Sequence, residues 1–533
     1  MKILQHIHRL TSLLIVVFAL KVTGSSQGGF IRLSEPHKVA KANQGNTAIT
    51  GFESNPVTEI RGAISMPQIL PAGDDVVGMT QYDLMSNRSS RGLLLAGSGG
   101  TTAGWTMSLE VSPFSDRGTA INQNSGAGWG DLPFSRIEDV RTGWGDLGRL
   151  PDGREFALAH GGAGGLVFTM RSEFGAEDWV STVLPALQDE AGNDIWHLWP
   201  RTATGGPAGQ TVHALCLTAP IANGGTLYNG QDGALVYMRS LDGGENWQAQ
   251  TFSDLDTSHF AGGFDADRYS IDARGNQVAF AMFNGLSDSF IMTSEDNGET
   301  WSYETMVDFP VDNYVVDSGD LLDASIADDV DEFGAPMFFN TDGSGDLVID
   351  EEGTVHVFFG AMYYADNDLT DGISSFYPYT NGLEYWRSDM GPDSSQTIAY
   401  AYDVDGNGSL DFYDEIASYF VGISSQASAC VIEGSQTIAV TYSALMENIS
   451  TGIQNVRHVY LVHSDDLGAT WNSESACDLT PDEDGNLYEH VFPHVPARSS
   501  GPVLPVLFQR DFEPGLHVQG DLDPIDVNEI IVL

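Results

Sequence analysis

The most specific chemistry in the sequence lies in one stretch of twelve residues. Asp403-Val-Asp405-Gly-Asn407-Gly408-Ser409-Leu410-Asp411-Phe-Tyr-Asp414 places oxygen-bearing side chains at positions 1, 3, 5, 9 and 12, glycine at 6 and an apolar residue at 8. That is the pattern of a loop that wraps a calcium ion, with the residue at position 7, here Ser409, offering its carbonyl. Position 12 is Asp414 rather than the longer Glu, although Glu415 is adjacent. Residues 411–420 fit a helix leaving the loop, while Thr397–Tyr402 entering it has a strand pattern, so the expectation is half of a helix–loop–helix calcium motif inserted between other elements. An acidic surface turn is the alternative.

Two further acidic stretches imitate the spacing. In 340–351, from Asn340 and Asp342 to Glu351, the ninth position is Val348 and the apolar run after Asp346 continues as a strand, which favours a plain turn. Asp482-Glu-Asp484-Gly-Asn486 lacks an acid at position 12. His490 and His494 stand four apart, but Pro493 between them forbids the helix that would align them on one metal, so this segment is expected to be a loop. His160, His213 and His356 fall on apolar strand patterns and are expected in the core or a channel. Cys216, Cys430 and Cys477 show no metal-ligand spacing and are expected to be unpaired, small apolar residues.

The elements that position these residues are repeated. Ser240-Leu-Asp242-Gly-Gly244-Glu-Asn-Trp247, Ser294-Glu-Asp296-Asn-Gly298-Glu-Thr300-Trp301 and Ser464-Asp-Asp466-Leu-Gly468-Ala-Thr470-Trp471 share the pattern S-x-D-x-G-x-[TN]-W. Each follows a short apolar run, so each marks a hairpin turn at a strand end, where Asp accepts backbone N–H bonds, Gly takes positive φ and Trp covers a gap between strands. Degenerate copies occur at Phe168–Ser172, with Trp179 at the expected offset, and at Glu384–Ser388. Turns entering apolar strands recur upstream, as at Asp152–Ala159, Arg274–Ala281 and Asp350–Val357. A four-stranded unit repeated every 55–95 residues or so, all strand, predicts the blades of a β-propeller. Blades are expected near 75–115, 145–185, 195–252, 268–308, 345–402, 425–475 and 487–533, with 25–74 as an extension that pairs with a blade edge. Seven is the favoured count. Six would require one end segment to complete a blade begun at the other terminus.

The three repeated turns resemble the Asp-box, or bacterial neuraminidase repeat, of the sialidase superfamily of β-propellers. The stretches Gly78-Met-Thr-Gln-Tyr-Asp-Leu84 and Ser135-Arg-Ile-Glu-Asp-Val-Arg-Thr-Gly-Trp144 are similar to uncharacterised secreted propellers of Bacteroidota. The resemblance implies an all-β ring in which the Asp-boxes lie away from the functional face. Long segments (115–144, 182–200, 308–340 and 403–424 between blades, 219–232, 361–383 and 444–456 within them) gather on the opposite face, where functional residues are expected.

A sialidase of that superfamily holds its substrate carboxylate with three arginines and uses an acid together with a Tyr activated by Glu. On this chain the resemblance points to Arg136 in Phe134-Ser-Arg136-Ile137-Glu138, a departure from the superfamily's Phe/Tyr-Arg-Ile-Pro element, and to Arg141, Arg201 and Arg268. Asp139 and Asp267 are candidate acids, and Tyr385 beside Glu384 a candidate nucleophile pair. The competing reading is a non-catalytic module that binds a glycan or cell-surface polymer through the aromatic residues Trp196, Trp199, Tyr363, Tyr364, Tyr377 and Tyr379. The imperfect arginine element favours the binding module.

Composition narrows the partners. With 23 Lys and Arg against 74 Asp and Glu, the formal charge is -51, which repels phosphate backbones and makes nucleic acid a poor partner. Hydrophobic residues make up 41%, enough for a large core, so the acidity belongs on the surface. Residues 1–24 combine Lys2 and Arg9 with the apolar run 12–20 and small residues Thr23 and Gly24, the pattern of a secretory leader. No second stretch is long enough to span a bilayer, so an exported or periplasmic monomer without membrane insertion is expected.

Overall fold

The computed structural model describes residues 44–45 and 75–533, apart from 90–91, 98, 162–164, 190, 332, 474–475, 482–486 and 501–502. The leader and the acidic fragment 482–486 lie outside the described residues, as does nearly all of 25–74. Gln44–Gly45 pairs antiparallel with Ile373–Ser374.

The fold is a seven-bladed β-propeller of antiparallel sheets. Blades two, three and four are four-stranded meanders that begin at Gly143–Arg149, His197–Gly205 and Tyr269–Arg274. Blades five and six begin at Pro336–Ile349 and Ser424–Ile432 and are enlarged by extra pairings. Strand directions alternate within each meander, so the first and third turns share one face and the repeated S-x-D-x-G turns fall there.

The ends of the ring depart from the expected arrangement. Asp75–Thr80 is not the start of blade one. It pairs with Asn528–Val532 as the outer strand of blade seven, whose other strands are Glu489–His494 and Leu507–Asp511. Blade one is left with three strands, Leu94–Leu95, Thr101–Met107 and Gly118–Asn124. One terminus therefore completes the blade of the other, as the six-blade alternative required, yet seven blades remain. The expected loop at His490 and His494 is the innermost strand of blade seven.

Each repeated turn is held by its own side chains. In the first, Ser240 Oγ donates to Asp242 Oδ1 (2.8 Å) and accepts from Gly244 N–H (2.8 Å), Asn246 N–H donates to Asp242 (2.9 Å), and Trp247 Nε1 reaches Gly244 O (3.0 Å). The other two repeat the serine and aspartate bonds through Asp296 and Asp466, and Trp301 Nε1 reaches Gly298 O (3.3 Å). The donors hold the Asp242 and Asp296 carboxyls down at about 2. The turns also lock neighbouring blades. Gly298 and Gly468 sit so close to Tyr237 and Tyr385 of the preceding blades that a Cβ there would lie 2.0 Å from either hydroxyl.

The cysteines are free, with Cys430 on the inner and Cys477 on the outer strand of blade six, separated by two intervening strands.

A plug closes the central channel. Inner strands of blades two, three, six and seven carry a bulge at matching positions, where Trp144, Trp199, Gln426 and Phe492 adopt φ of 51–56°. Blade five has its irregularity at Thr341–Gly345, and blade four has Asp267 at φ 62° just before its inner strand. Such a bulge re-aims the residues after it, here into the channel. Residues 81–89 and 92–93, crossing from blade seven to blade one, lie over that ring of bulges. Arg201 donates to Ser86 Oγ (3.0 Å) and Ser89 O (2.9 Å), and Asp267 accepts from Asn87 N–H (3.1 Å) and Nδ2 (2.7 Å). Ser344 Oγ donates to Arg88 O (2.9 Å), and Leu93 N–H donates to His494 Nε2 (3.1 Å). Below the plug, a cavity of about 250 Å³ lined by Asp146, Arg201, Asp272, Asp346, His494 and Arg498 runs toward the face of the repeated turns.

Candidate functional site at the plugged mouth

The loop-rich face contains two places where chemistry-bearing groups meet. The first is the floor of the mouth. Arg88 rises from the plug, Arg268 from the connection into blade four, Asp342 from the irregular start of blade five, and Tyr364 from the loop-side end of Val355–Ala365. The two guanidinium groups crowd Gly343, where a Cβ would lie 3.1 Å from Arg268 Nε and 3.2 Å from Arg88 Nε. Arg88 is 5% exposed, donates through Nη1 to the carbonyls of Asn87 (2.9 Å) and Tyr419 (3.2 Å), and leaves its buried Nε without a partner. Burial and the neighbouring Arg268 push it down to about 10. Arg268 is partly exposed and pairs with Asp265 at 3.2 Å. The half-buried Phe420 ring lies 5.4 Å from the Arg88 guanidinium carbon.

Asp342 is buried and its carboxylate accepts from Gly422 N–H and Ser344 N–H, each at 2.9 Å, so it offsets only part of this positive charge. Tyr364 donates to Thr341 O (2.7 Å), and burial pushes its hydroxyl up to about 12. A third arginine, Arg457, is fully buried and bonded to the carbonyls of Ile423 and Gly422.

The residues singled out from the sequence are dispersed. Arg136 and Arg141 both hold the segment 113–115, through Ser115 O and Phe114 O. Arg201 is sealed under the plug on Asp267 (2.7 Å). Asp139 is exposed, its N–H bonded to Ser181 Oγ. Tyr385 and Glu384 do not form a nucleophile pair, because neighbours on a strand point to opposite faces. Tyr385 is fully buried beside His356 Nδ1 (2.8 Å), while Glu384 accepts from Thr397 Oγ1 (2.5 Å) and Ser395 Oγ (3.0 Å). His213 and Tyr237 form the same dyad in blade three (2.6 Å), which marks it as a repeated packing device. Of the expected aromatic platform, Trp199, Tyr364 and Tyr377 are buried; Trp196, Tyr363 and Tyr379 are half-buried.

The second place is the twelve-residue loop. Asp403 is buried and accepts from Gly406 N–H (2.7 Å) and Gly408 N–H (2.9 Å), folding the loop around its carboxylate. Asn407 Nδ2 bridges Asp405 (3.0 Å) and Asp411 (3.1 Å), and Ser409 turns its hydroxyl to Asn407 Oδ1 (2.9 Å). No helix follows: 411–420 is irregular apart from a bridge between Glu415 and Gln454. Asp414 is turned away to Ser450. The long carboxylate comes instead from Glu447, on strand Thr437–Ser450, which accepts from the N–H groups of Val404 (2.5 Å) and Asp411 (3.0 Å). Asp403, Asp405 and Glu447 each bring an oxygen within 4.8 Å of the others, a group able to hold a metal ion.

No family model and no curated protein matches the chain. Similar solved structures include an ulvan lyase with bound saccharide, at 10% identity and TM-score 0.44, covering 82% of this chain and 97% of that one. Trypanosoma rangeli sialidase with the inhibitor DANA has 12% identity and TM-score 0.36, covering 84% and 60%. A variant of Aleuria aurantia lectin with alpha-methyl-L-fucoside has 8% identity and TM-score 0.37, covering 76% and 99%. All three are glycan-acting proteins.

Proposed function

We propose that this chain is an exported, sialidase-like propeller of the Asp-box kind that binds an acidic glycan at its loop-rich mouth without hydrolysing it, and that calcium stabilises that face. The observation that carries the reading is the pair of guanidinium groups crowding Gly343. Two like charges brought together at the floor of a mouth are relieved by an anion, and a uronate carboxylate or sugar sulfate accepts the bidentate, charge-assisted bonds that arginine offers. Phe420 gives a sugar ring an apolar face beside that charge. Asp265 and Asp342 already lie against the two guanidinium groups, while acids beyond about 8–10 Å are screened at physiological salt.

Hydrolysis asks for more. A tyrosine nucleophile must give up its proton, yet Tyr364 is pushed up to about 12 by burial and spends its hydrogen on Thr341 O. Arg136, Arg141, Tyr385 and Glu384 are engaged elsewhere. The calcium assignment rests on hard oxygen donors at Asp403, Asp405 and Glu447 with no nitrogen or sulfur among them.

Calorimetry with a polyuronate should give salt-sensitive binding that Arg268→Ala weakens about tenfold or more, the value of one charge-assisted hydrogen bond. No sialic acid should be released from a fluorogenic sialoside. Turnover that disappears in Tyr364→Phe would establish the enzyme instead, and equal affinity of Arg268→Ala for the polyuronate would remove the arginines from the site.

A further inference from the structure

We propose that Asp511, Glu513 and Asp523 form a second calcium site, at the seam where the two ends of the ring meet, with Asp83 and Asp526 as flanking acids. The site is independent of the arginine mouth. Asp511 ends strand Leu507–Asp511, Glu513 follows two residues later, and the loop returns through the turn His517–Gln519 to bring Asp523 back. Gly515 permits the return, since a Cβ there would meet Asp521 Oδ2 at 2.9 Å and Asp523 Cβ at 3.0 Å. Asp83 arrives from the start of the plug, just after the ring-closing strand. Its carboxylate accepts the N–H groups of His517 and Val518, and its carbonyl accepts from Gln509 Nε2 (2.9 Å).

One oxygen each from Asp511, Glu513 and Asp523 lies within 4.8 Å of the others. Oxygens bound to one calcium ion, each about 2.4 Å from it, are separated by no more than this. The second observation is burial without partners. Asp523 is 4% exposed, and neither of its carboxylate oxygens meets a hydrogen-bond donor. Asp511 is 1% exposed; its Oδ1 accepts from Phe512 N–H (2.6 Å) and Glu513 N–H (3.3 Å), while its Oδ2 is left without a donor. Glu513 Oε2 and Asp526 Oδ1 are likewise buried and unpartnered.

Protein cations do not relieve this concentration of acid. No lysine occurs after Lys41, and among the described residues no arginine pairs with any of the five carboxylates. Ionised carboxylates taken out of water without a counter-charge are strongly unfavourable, so the cluster must hold either protons or a cation. A divalent ion would engage one oxygen from each of Asp511, Glu513 and Asp523 at once. The donors are hard oxygens, with neither sulfur nor imidazole among the three, and several carboxylates on a flexible loop suit the adaptable coordination of calcium better than the strict octahedron of magnesium. The consequence is a clamp joining the plug, the ring-closing strand and the last blade.

The test uses the full chain carrying Asp403→Ala and Asp405→Ala, so that the first loop is silent. Calorimetry should find one calcium ion per chain, bound at least about tenfold more weakly after Asp523→Asn. Melting adds a reversal that a merely structural acid would not produce. In chelator Asp523→Asn should melt above its parent, because a buried acid with neither donor nor counter-ion is replaced by a neutral amide; in millimolar calcium it should melt below it. Where the doubly substituted parent fails to fold, Asp523→Asn in the wild-type chain should lower the stoichiometry from two ions to one. Greater stability of Asp523→Asn under both conditions, no calcium bound at this seam, or stabilisation by magnesium but not calcium would overturn the proposal.

Discussion

Asp267→Asn tests whether the plug is held by charge. The substitution keeps the shape of the side chain and suits the backbone, since asparagine tolerates the left-handed conformation that Asp267 adopts at φ 62°. It removes the counter-charge of Arg201, which is 2% exposed and meets Asp267 at 2.7 Å. It also weakens the two bonds that Asp267 accepts from Asn87. Breaking a buried pair by removing one partner typically costs about 3–5 kcal/mol, because the remaining charge is stranded. A chain of this size unfolds with an entropy of about 1 kcal/mol/K, so the loss corresponds to a fall in Tm of about 3–5 °C if the ring melts as one unit. Calorimetry reads the fall, and hydrogen exchange should show the Asn87 amide losing protection while the strands of blade four retain theirs. Arg201→Met added to Asp267→Asn should recover part of the stability, because no charge is then left buried. A single-variant loss below about 1 kcal/mol, or no recovery in the double variant, would refute the role given to the pair.

Two further outcomes follow from particular contacts. Glu447→Gln should weaken calcium binding at the 403–411 loop as much as Asp403→Ala does, whereas Asp414→Asn should leave it within about twofold, measured by calcium titration; the opposite ranking would restore Asp414 as the twelfth ligand. His494 is pushed down to about 3 by burial and by Arg201, so it stays neutral in the folded state and accepts from Leu93 N–H. Its contribution is present above the unfolded value near 6.5 and is lost as pH falls from there toward 3, at up to about 1.4 kcal/mol per pH unit. His494→Gln keeps an acceptor that does not titrate, so urea denaturation at pH 7 and pH 5 should show the variant gaining on the wild type in acid, and a pH-independent difference would contradict this.

What the sequence disclosed was local. The repeated turns were legible because Ser240, Asp242, Gly244 and Trp247 bond to one another within eight residues, leaving their pattern in a short window. The same holds for the calcium loop up to Asp411. Glu447 was hidden because it enters from a strand whose register only the fold determines. Arg88 was hidden for a similar reason: Ser86-Asn-Arg-Ser89 has the composition of an exposed turn, and only the ring of bulges beneath it turns it into a floor. The role of Asp75–Thr80 was misplaced because a strand's pattern does not name its partner. The pairing of Tyr385 with Glu384 was a different error, since strand alternation alone places adjacent side chains on opposite faces.

The closing of the ring by Asp75–Thr80 also fixes when the molecule can be finished. Blades two, three and four are each complete once a nearby stretch of chain has been made, but the outer strand of blade seven emerges about 450 residues before Asn528–Val532, the strand it must meet. At about 5–20 residues per second of synthesis, that interval lasts roughly 20–90 s. Throughout it, Asp75–Thr80 is an unpaired edge beside growing, pairing-competent strands, the situation in which wrong partners are found. The true partner arrives only after the intervening blades, so this protein's yield should depend less on how fast those blades fold than on how well Asp75–Thr80 is kept waiting.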